Sequence, residues 1–234
     1  MLDTKQLRDS AIGLLSKTED FDELKLCVCF GNGKPECIPV IYSENDLYYY
    51  QCYERGERIA FKTTKEDEEA LFWILDSYVW SYSWDYELRN RVKYVDNRRL
   101  AFDKVRKLYL CIGEPYYSMN ENKLHEILRI APFNDKYIRE LDLINDFEAL
   151  AQNLWDYDKI NPDISCKVKH NLKYFIDKPY REKYGGIDNF DVAFKEMCVK
   201  FEEIIREIEH KKMYGEVQKI FKRMKEIRTI ILSI

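Results

Sequence analysis

The chain has 234 residues, of which 46% are hydrophobic, 34% charged and 15% aromatic, with a formal net charge of −4. That length buries a real core as one large domain or two small ones, and the aromatic content excludes a disordered chain. The mild negative charge argues against a general nucleic-acid binder and fits a basic partner.

Asp3 or Thr4 can cap a first helix that carries Leu7, Ala11, Leu14 and Leu15 on one face. Residues 24–63 then switch to short apolar runs separated by turn residues. LKLCVCF (24–30) meets Gly31-Asn32-Gly33-Lys34, a hairpin signal because Asn and Gly tolerate positive φ. ECIPVIY (36–42) follows, and Pro35 and Pro39, which lack amide donors, mark it as an edge strand. LYYYQCY (47–53) and RIAFKTT (58–64) complete a four-strand antiparallel meander, since turns this short demand antiparallel neighbours.

Everything after Thr64 reads as helix. Thr64 and Asp67 have capping-box spacing, and Leu71, Ile74, Leu75, Tyr78, Val79, Tyr82 and Tyr86 form one helical stripe. Trp73, Trp80 and Trp84 lie on a different side, so this helix is expected to be buried from several directions as a central post. Asp96 can cap a helix ending near Gly113-Glu114-Pro115, and Ser118 with Glu121 forms a capping box for the next, which stops before Pro132. Leu143, Phe147, Leu150, Ala151 and Leu154 mark another helix. Asn161-Pro162 opens one carrying Ile164, Val168, Leu172 and Phe175, and residues 177–187 form a Pro/Gly loop. Phe190, Phe194, Met197, Phe201, Ile204 and Ile208, then Val217, Ile220, Met224, Ile227 and Ile231, give two heptad-like seams broken near Tyr214-Gly215. Two such seams predict a long antiparallel helical hairpin. The fold class is therefore α+β: a small antiparallel four-strand meander near the N-terminus, packed against a mostly helical body. The domains are expected at 1–135 (α+β) and 136–234 (helical).

Met1-Leu2-Asp3-Thr4-Lys5 lacks the basic start and apolar run of a signal peptide, and no stretch approaches the roughly 18 apolar residues of a membrane span. Seven scattered cysteines, at 27, 29, 37, 52, 111, 166 and 198, read as reduced, buried thiols. A cytoplasmic location is expected.

Four arginines, Arg89, Arg91, Arg98 and Arg99, stand close to Asp85, Glu87 and Asp96. They can form an anion- or partner-binding patch, or pair with those carboxylates to hold helices together; the second is favoured. Zinc is not expected, because Cys27 and Cys29 are one residue apart with no second pair. His125, His170 and His210 stand without a serine or cysteine elbow, and Gly31–Lys34 lacks the glycine and Ser/Thr of a phosphate loop. No catalytic residue, cofactor or metal is assigned. Residues 211–234 carry seven basic and two acidic side chains, which keeps open a nucleic-acid-associated role for the basic C-terminal hairpin. Tyr48, Tyr50, Tyr116 and Tyr117 are interface candidates, because tyrosine brings large contact area with a polar tip. Strand alternation puts Tyr49 on the face opposite Tyr48 and Tyr50.

From about residue 46 to 135 the sequence resembles the immunity protein 63 family of bacterial polymorphic toxin systems. The likeness lies in Glu54-Arg55-Gly56, the Thr63-Thr64 start, Glu69-Ala70-Leu71-Phe72-Trp73-Ile74, Asp85-Tyr86-Glu87-Leu88-Arg89-Asn90-Arg91, Asp96-x-Arg98-Arg99-x-x-Phe102 and LRIAPFND (128–135). The resemblance implies a non-enzymatic antidote in the cytosol that binds a cognate toxin domain stoichiometrically. Trp73, Trp84, Asp85, Tyr86, Glu87, Arg89, Arg91, Asp96, Arg98 and Arg99 are then family-motif or interface residues. The helical C-terminal region lies outside the resemblance.

Overall fold

A computed structural model describes residues 1–19, 21–160, 166–177, 190–209 and 216–232. The described residues fall into two compact units, Met1–Val92 with Asp96–Phe133, and Lys93–Val95 with Asn134–Ile234.

The first unit begins with helix α1 (Thr4–Leu15), closed by a capping box between Asp3 and Gln6. A sheet follows, with strands β1 (Cys29–Phe30), β2 (Val40–Glu44), β3 (Leu47–Glu54) and β4 (Glu57–Thr64) in that spatial order. β2, β3 and β4 pair antiparallel, as the short turns require, and Arg55 and Gly56 take the positive φ that a two-residue hairpin needs. The first pairing departs from the meander: β1 and β2 run parallel. The Cys29 amide bonds the Pro39 carbonyl (2.8 Å) and the Gly31 amide bonds that of Ile41 (3.0 Å). Residues 31–34 therefore make no hairpin. The chain swings away at Gly31 (φ 124°), Glu36 anchors on the β3–β4 turn, and β2 re-enters in the same direction as β1. Both prolines precede Val40, so they interrupt no ladder, and β2 lies inside the sheet between β1 and β3 instead of at its edge.

Helix α2 (Asp67–Asn90) packs on this sheet through Trp73 against Tyr50, followed by α3 (Arg98–Ile112) and α4 (Tyr116–Ile130). Its first three turns are buried on several sides through Ala70, Leu71, Trp73, Ile74, Leu75, Tyr78 and Val79, as a central post should be. The last two turns are different: Trp84, Tyr86 and Leu88 are exposed. The anticipated Thr64–Asp67 capping box is absent. Thr64 Oγ accepts from the Glu66 amide, while the Asp67 carboxylate takes the Tyr48 hydroxyl and the Leu2 amide. Likewise α4 starts at Tyr116, two residues ahead of Ser118, because the Glu114 carboxylate accepts both the amide and the hydroxyl of Ser118. Gly113 ends α3 at φ 95°.

The second unit is helical: α5 (Asp135–Ile160), α6 (Cys166–Ile176), α7 (Phe190–Glu209) and α8 (Glu216–Leu232). Its core takes the anticipated faces, Leu143, Phe147, Leu154, Val168, Leu172, Phe175, Met197, Phe201, Ile204, Met224 and Ile227. Phe147 stacks on Phe201 at 4.3 Å between ring centroids. Glu202 pairs with Arg228 and Glu209 with Lys225, rising along α7 while falling along α8, so the two helices run antiparallel. The Asn161-Pro162 cap, Ile164, most of the 177–187 loop, the Tyr214-Gly215 break, His210 and the Cys166 side chain lie outside the described residues. The described cysteines are free thiols; Cys52 is buried, whereas Cys27, Cys29, Cys37 and Cys111 are exposed, against the expectation of buried thiols. No helix among the described residues is long and apolar enough to cross a membrane.

Candidate functional site

The arginine cluster is built from the end of α2 and the start of α3. Glu87 is 2% exposed and accepts two bonds from Arg91, at 2.7 and 2.9 Å, across one helical turn. Asp96, 3% exposed, takes the Arg98 guanidinium at 2.6–3.2 Å and the Arg98 amide at 3.2 Å. Arg98 spends its remaining donors on the carbonyls of Ala131 (3.0 Å) and Pro132 (2.9 Å), beyond the end of α4. These hydrogen bonds to Asp96 hold the Arg98 pKa above its usual value. Arg99 lies over the Phe133 ring at 4.5 Å. Arg89 and Asp85 pair loosely at 3.8 Å, both largely solvent-exposed. Asn97 adds a two-way bond, its side chain accepting from the Val92 amide and donating to the Val92 carbonyl.

Behind the clasp stand stacked aromatics. Trp80 and Trp84 both meet the edge of Phe102, at 5.5 and 6.4 Å, and Phe102 packs on Phe133 at 5.7 Å. Two stretches distant in sequence, Asp96–Phe102 and Ala131–Phe133, are thereby locked together by one guanidinium and a run of rings. The sequence signalled the cations and carboxylates but not the carbonyls of Ala131 and Pro132, because backbone acceptors carry no residue signature.

Arg91 gives two donors to Glu87, and Arg98 divides its guanidinium between Asp96 and the carbonyls of Ala131 and Pro132, so both cations are engaged in holding this corner of the fold together. Among the described residues no three His, Cys, Asp or Glu side chains converge as a metal site. His125 is exposed beside Glu126, and His170 is exposed on α6.

The tyrosine candidates separate by burial. Tyr48 is fully buried, and its hydroxyl, bonded to Asp67 and Leu2, is pushed up to about 12 by burial and by that carboxylate. Tyr116 and Trp73 are also core. Tyr50 meets Trp73 edge-on at 5.8 Å and is partly covered, as is Tyr117. Tyr48, Tyr116 and Trp73 are enclosed and support the fold, whereas Tyr50 and Tyr117 keep part of their surface in solvent. Trp84 and Tyr86, each 38% exposed, do reach the surface, with Asp85 and Arg89 beside them. Strand alternation is as read: Tyr49 sits on the outer face of the sheet, stacked on Tyr42 at 5.0 Å.

The basic helix α8 has its cations largely engaged. Arg223 bonds Asp146 and Glu226, Lys225 pairs with Glu209, and Arg228 pairs with Glu202 and Glu209. That pairing removes much of the field a polyanion would feel.

Residues 44–126 match the family model described as Immunity protein 63. The matched segment runs from the end of β2 through β3, β4, α2 and α3 into α4, and it contains the buried Glu87 and Asp96 with their arginines. It stops short of Ala131–Phe133 and covers none of α5 to α8. No curated protein and no solved structure matches the chain. A match to immunity proteins points in general to toxin immunity.

Proposed function

We propose that this chain is an immunity protein of a bacterial polymorphic toxin system, which binds a cognate toxin domain in the cytoplasm and neutralises it stoichiometrically. The observation that carries this reading is the Immunity protein 63 match over residues 44–126. The geometry of that segment supports it: its buried carboxylates Glu87 and Asp96 are paired with arginines, while exposed aromatic and charged side chains remain at its surface. Glu87, Arg91, Asp96 and Arg98 serve as fold determinants, and contact falls to side chains the solvent can reach. A specific complex of this kind buries about 1,200–2,000 Å² in total. The nucleic-acid reading finds less support, because the cations of α8 are mostly held by carboxylates of α5 and α7.

The test is co-expression with the toxin domain encoded beside this gene. The expected result is a one-to-one complex on size exclusion and survival of toxin-expressing cells. Absence of both a complex and rescue refutes the reading.

A further inference from the structure

β4 is an eight-residue strand at the end of the sheet order, and among the described residues nothing pairs with its outer edge. The opposite edge, β1, is two residues long. Proteins ordinarily blunt such edges by shortness, proline, cover or charged side chains, since a row of unpaired amides and carbonyls recruits another strand; of these β4 has only the charges, Arg58 and Lys62. β4 is long, contains no proline, and is exposed along nearly its whole length. Ile59 is 58% and Phe61 48% exposed, large apolar side chains displayed on the strand itself.

The edge is basic beyond its first residue: Glu57 opens β4, Arg58 and Lys62 follow within the strand, and Lys65 stands just past its end. Arg58 lies over the Phe61 ring at 4.1 Å, and Lys62 lies over the rings of Tyr50 (5.4 Å) and Trp73 (5.8 Å). Neither Arg58, Lys62 nor Lys65 has a carboxylate within ion-pair distance among the described residues. Elsewhere in this unit Arg91, Arg98, Arg106 and Lys123 are each paired with acids. A locally basic, unpaired strand edge stands out on a chain whose net charge is −4.

We propose that the open edge of β4 docks an extended segment of the toxin domain bearing acidic residues, added to the sheet as a further strand. The proposal rests on the immunity reading above and names the surface that reading leaves unassigned. Backbone pairing along the strand would supply affinity, and the side chains flanking it specificity. A second copy of this chain is the simplest competitor; paired antiparallel in a register centred on Ala60 it would set Arg58 against Lys62, an unfavourable like-charge pair, whereas an acidic strand supplies both cations with a partner. Single-stranded nucleic acid is the other polyanion to consider, because it stacks its bases on aromatic sheet faces. Here the rings cover each other: Tyr42 stacks on Tyr49, Tyr49 leans on Phe61 at 6.3 Å, and Arg58 caps Phe61. Few ring faces are left for a base, so a protein strand fits better.

The experiment uses the full chain and the toxin domain encoded beside it, with affinity measured for wild type and for the double variant Arg58→Glu/Lys62→Glu. Amide hydrogen exchange on the wild-type complex accompanies it and needs no variant to fold. The expected results are a loss of roughly tenfold or more in affinity for the variant, weakening of wild-type binding with added salt, and new protection of the 57–64 amides in the complex. If the wild-type chain binds the toxin but neither the variant's affinity nor the exchange of β4 changes, the docking site is overturned and the immunity reading stands. Loss of affinity without protection of β4 overturns strand addition. A wild-type chain that binds no toxin overturns both. Protection of β4 by a single-stranded RNA or DNA oligonucleotide, or by self-association in the absence of partner, also overturns it.

Discussion

Replacing Asp96 by alanine separates support from contact in the arginine cluster. Asp96 is 3% exposed and takes three side-chain contacts from Arg98, at 2.6, 2.9 and 3.2 Å. Removing one member of a buried pair costs about 3–5 kcal/mol. The Arg98 side chain is 30% exposed and keeps its bonds to the Ala131 and Pro132 carbonyls, so water and backbone recover part of that loss. About 2–3 kcal/mol remains. Trp73, Trp80 and Trp84, three of the four tryptophans, lie on α2, so fluorescence-detected urea unfolding reports chiefly on this unit. The expected outcome is an earlier transition in Asp96→Ala, and recovery of most of the loss in Asp96→Leu/Arg98→Met, which replaces the pair with apolar side chains. Below the transition, affinity for the toxin domain should match wild type. A stability change under about 0.5 kcal/mol would show that the pair holds nothing together. Unchanged stability with lost binding would move the clasp from support to contact.

Further outcomes concern both units. Phe147→Ala removes the ring stacked on Phe201 and edge-on to Phe175, and should cost the second unit about 3–5 kcal/mol in denaturant unfolding. Burial raises the Asp146 carboxyl, but hydrogen bonds from Lys93 and Tyr94 and the charges of Lys93 and Arg223 outweigh it and hold its pKa below the usual value. A depressed folded pKa contributes stability present above the unfolded value and lost as pH falls through the folded one. The second unit should therefore weaken at acid pH below about 4, less steeply in Asp146→Asn. Tyr94, pushed up to about 12 by burial and by Asp146, behaves oppositely: its contribution is complete below pH 10 and lost as pH rises towards 12, which ultraviolet titration of tyrosinate detects. A thiol reagent on the native protein should label Cys27, Cys29, Cys37 and Cys111 quickly and Cys52 slowly, since burial both covers the Cys52 thiol and raises its pKa. Equal rates for all five would contradict the burial of Cys52 within β3, where it pairs with Ala60 of β4.

Much of this fold was legible because long amphipathic periods are decided locally. The faces of α1, α5 and α7 follow from apolar spacing alone, and Gly113 stops α3 where its positive φ was needed. Capping was harder to read. Thr64–Asp67 and Ser118–Glu121 have the right spacing, yet Asp67 is claimed by Tyr48 and Leu2, and Ser118 by Glu114. A tertiary donor outcompeted the local one in the first case, an acid four residues upstream in the second. The first strand pairing went astray for a related reason: Gly31 through Lys34 has hairpin composition, but Glu36 finds the Arg55 and Gly56 amides and draws the chain into a parallel return. Tyr48, Tyr49 and Tyr50 show the limit of alternation, which separates neighbours onto two faces without saying which is covered. The net charge concealed as much as it disclosed. A chain at −4 suggested acidic steering of a basic partner, whereas the strand edge most open to another chain is basic.

The excursion between Val92 and Asp96 bears on any attempt to dissect the molecule. The Asn97 side chain joins Val92 to the start of α3, and the intervening tripeptide Lys93–Val95 is counted with the second unit, where Tyr94 bonds Asp142 and Asp146 and Lys93 bonds Asp146. A fragment ended at residue 133 would keep the tripeptide but discard every one of those acceptors. One begun at residue 134 would strand Asp146 with Arg223 as its sole remaining donor of the three. No single cut in the backbone frees either half intact, so a minimal toxin-binding piece would have to replace residues 93–95 with a short loop before anything is trimmed.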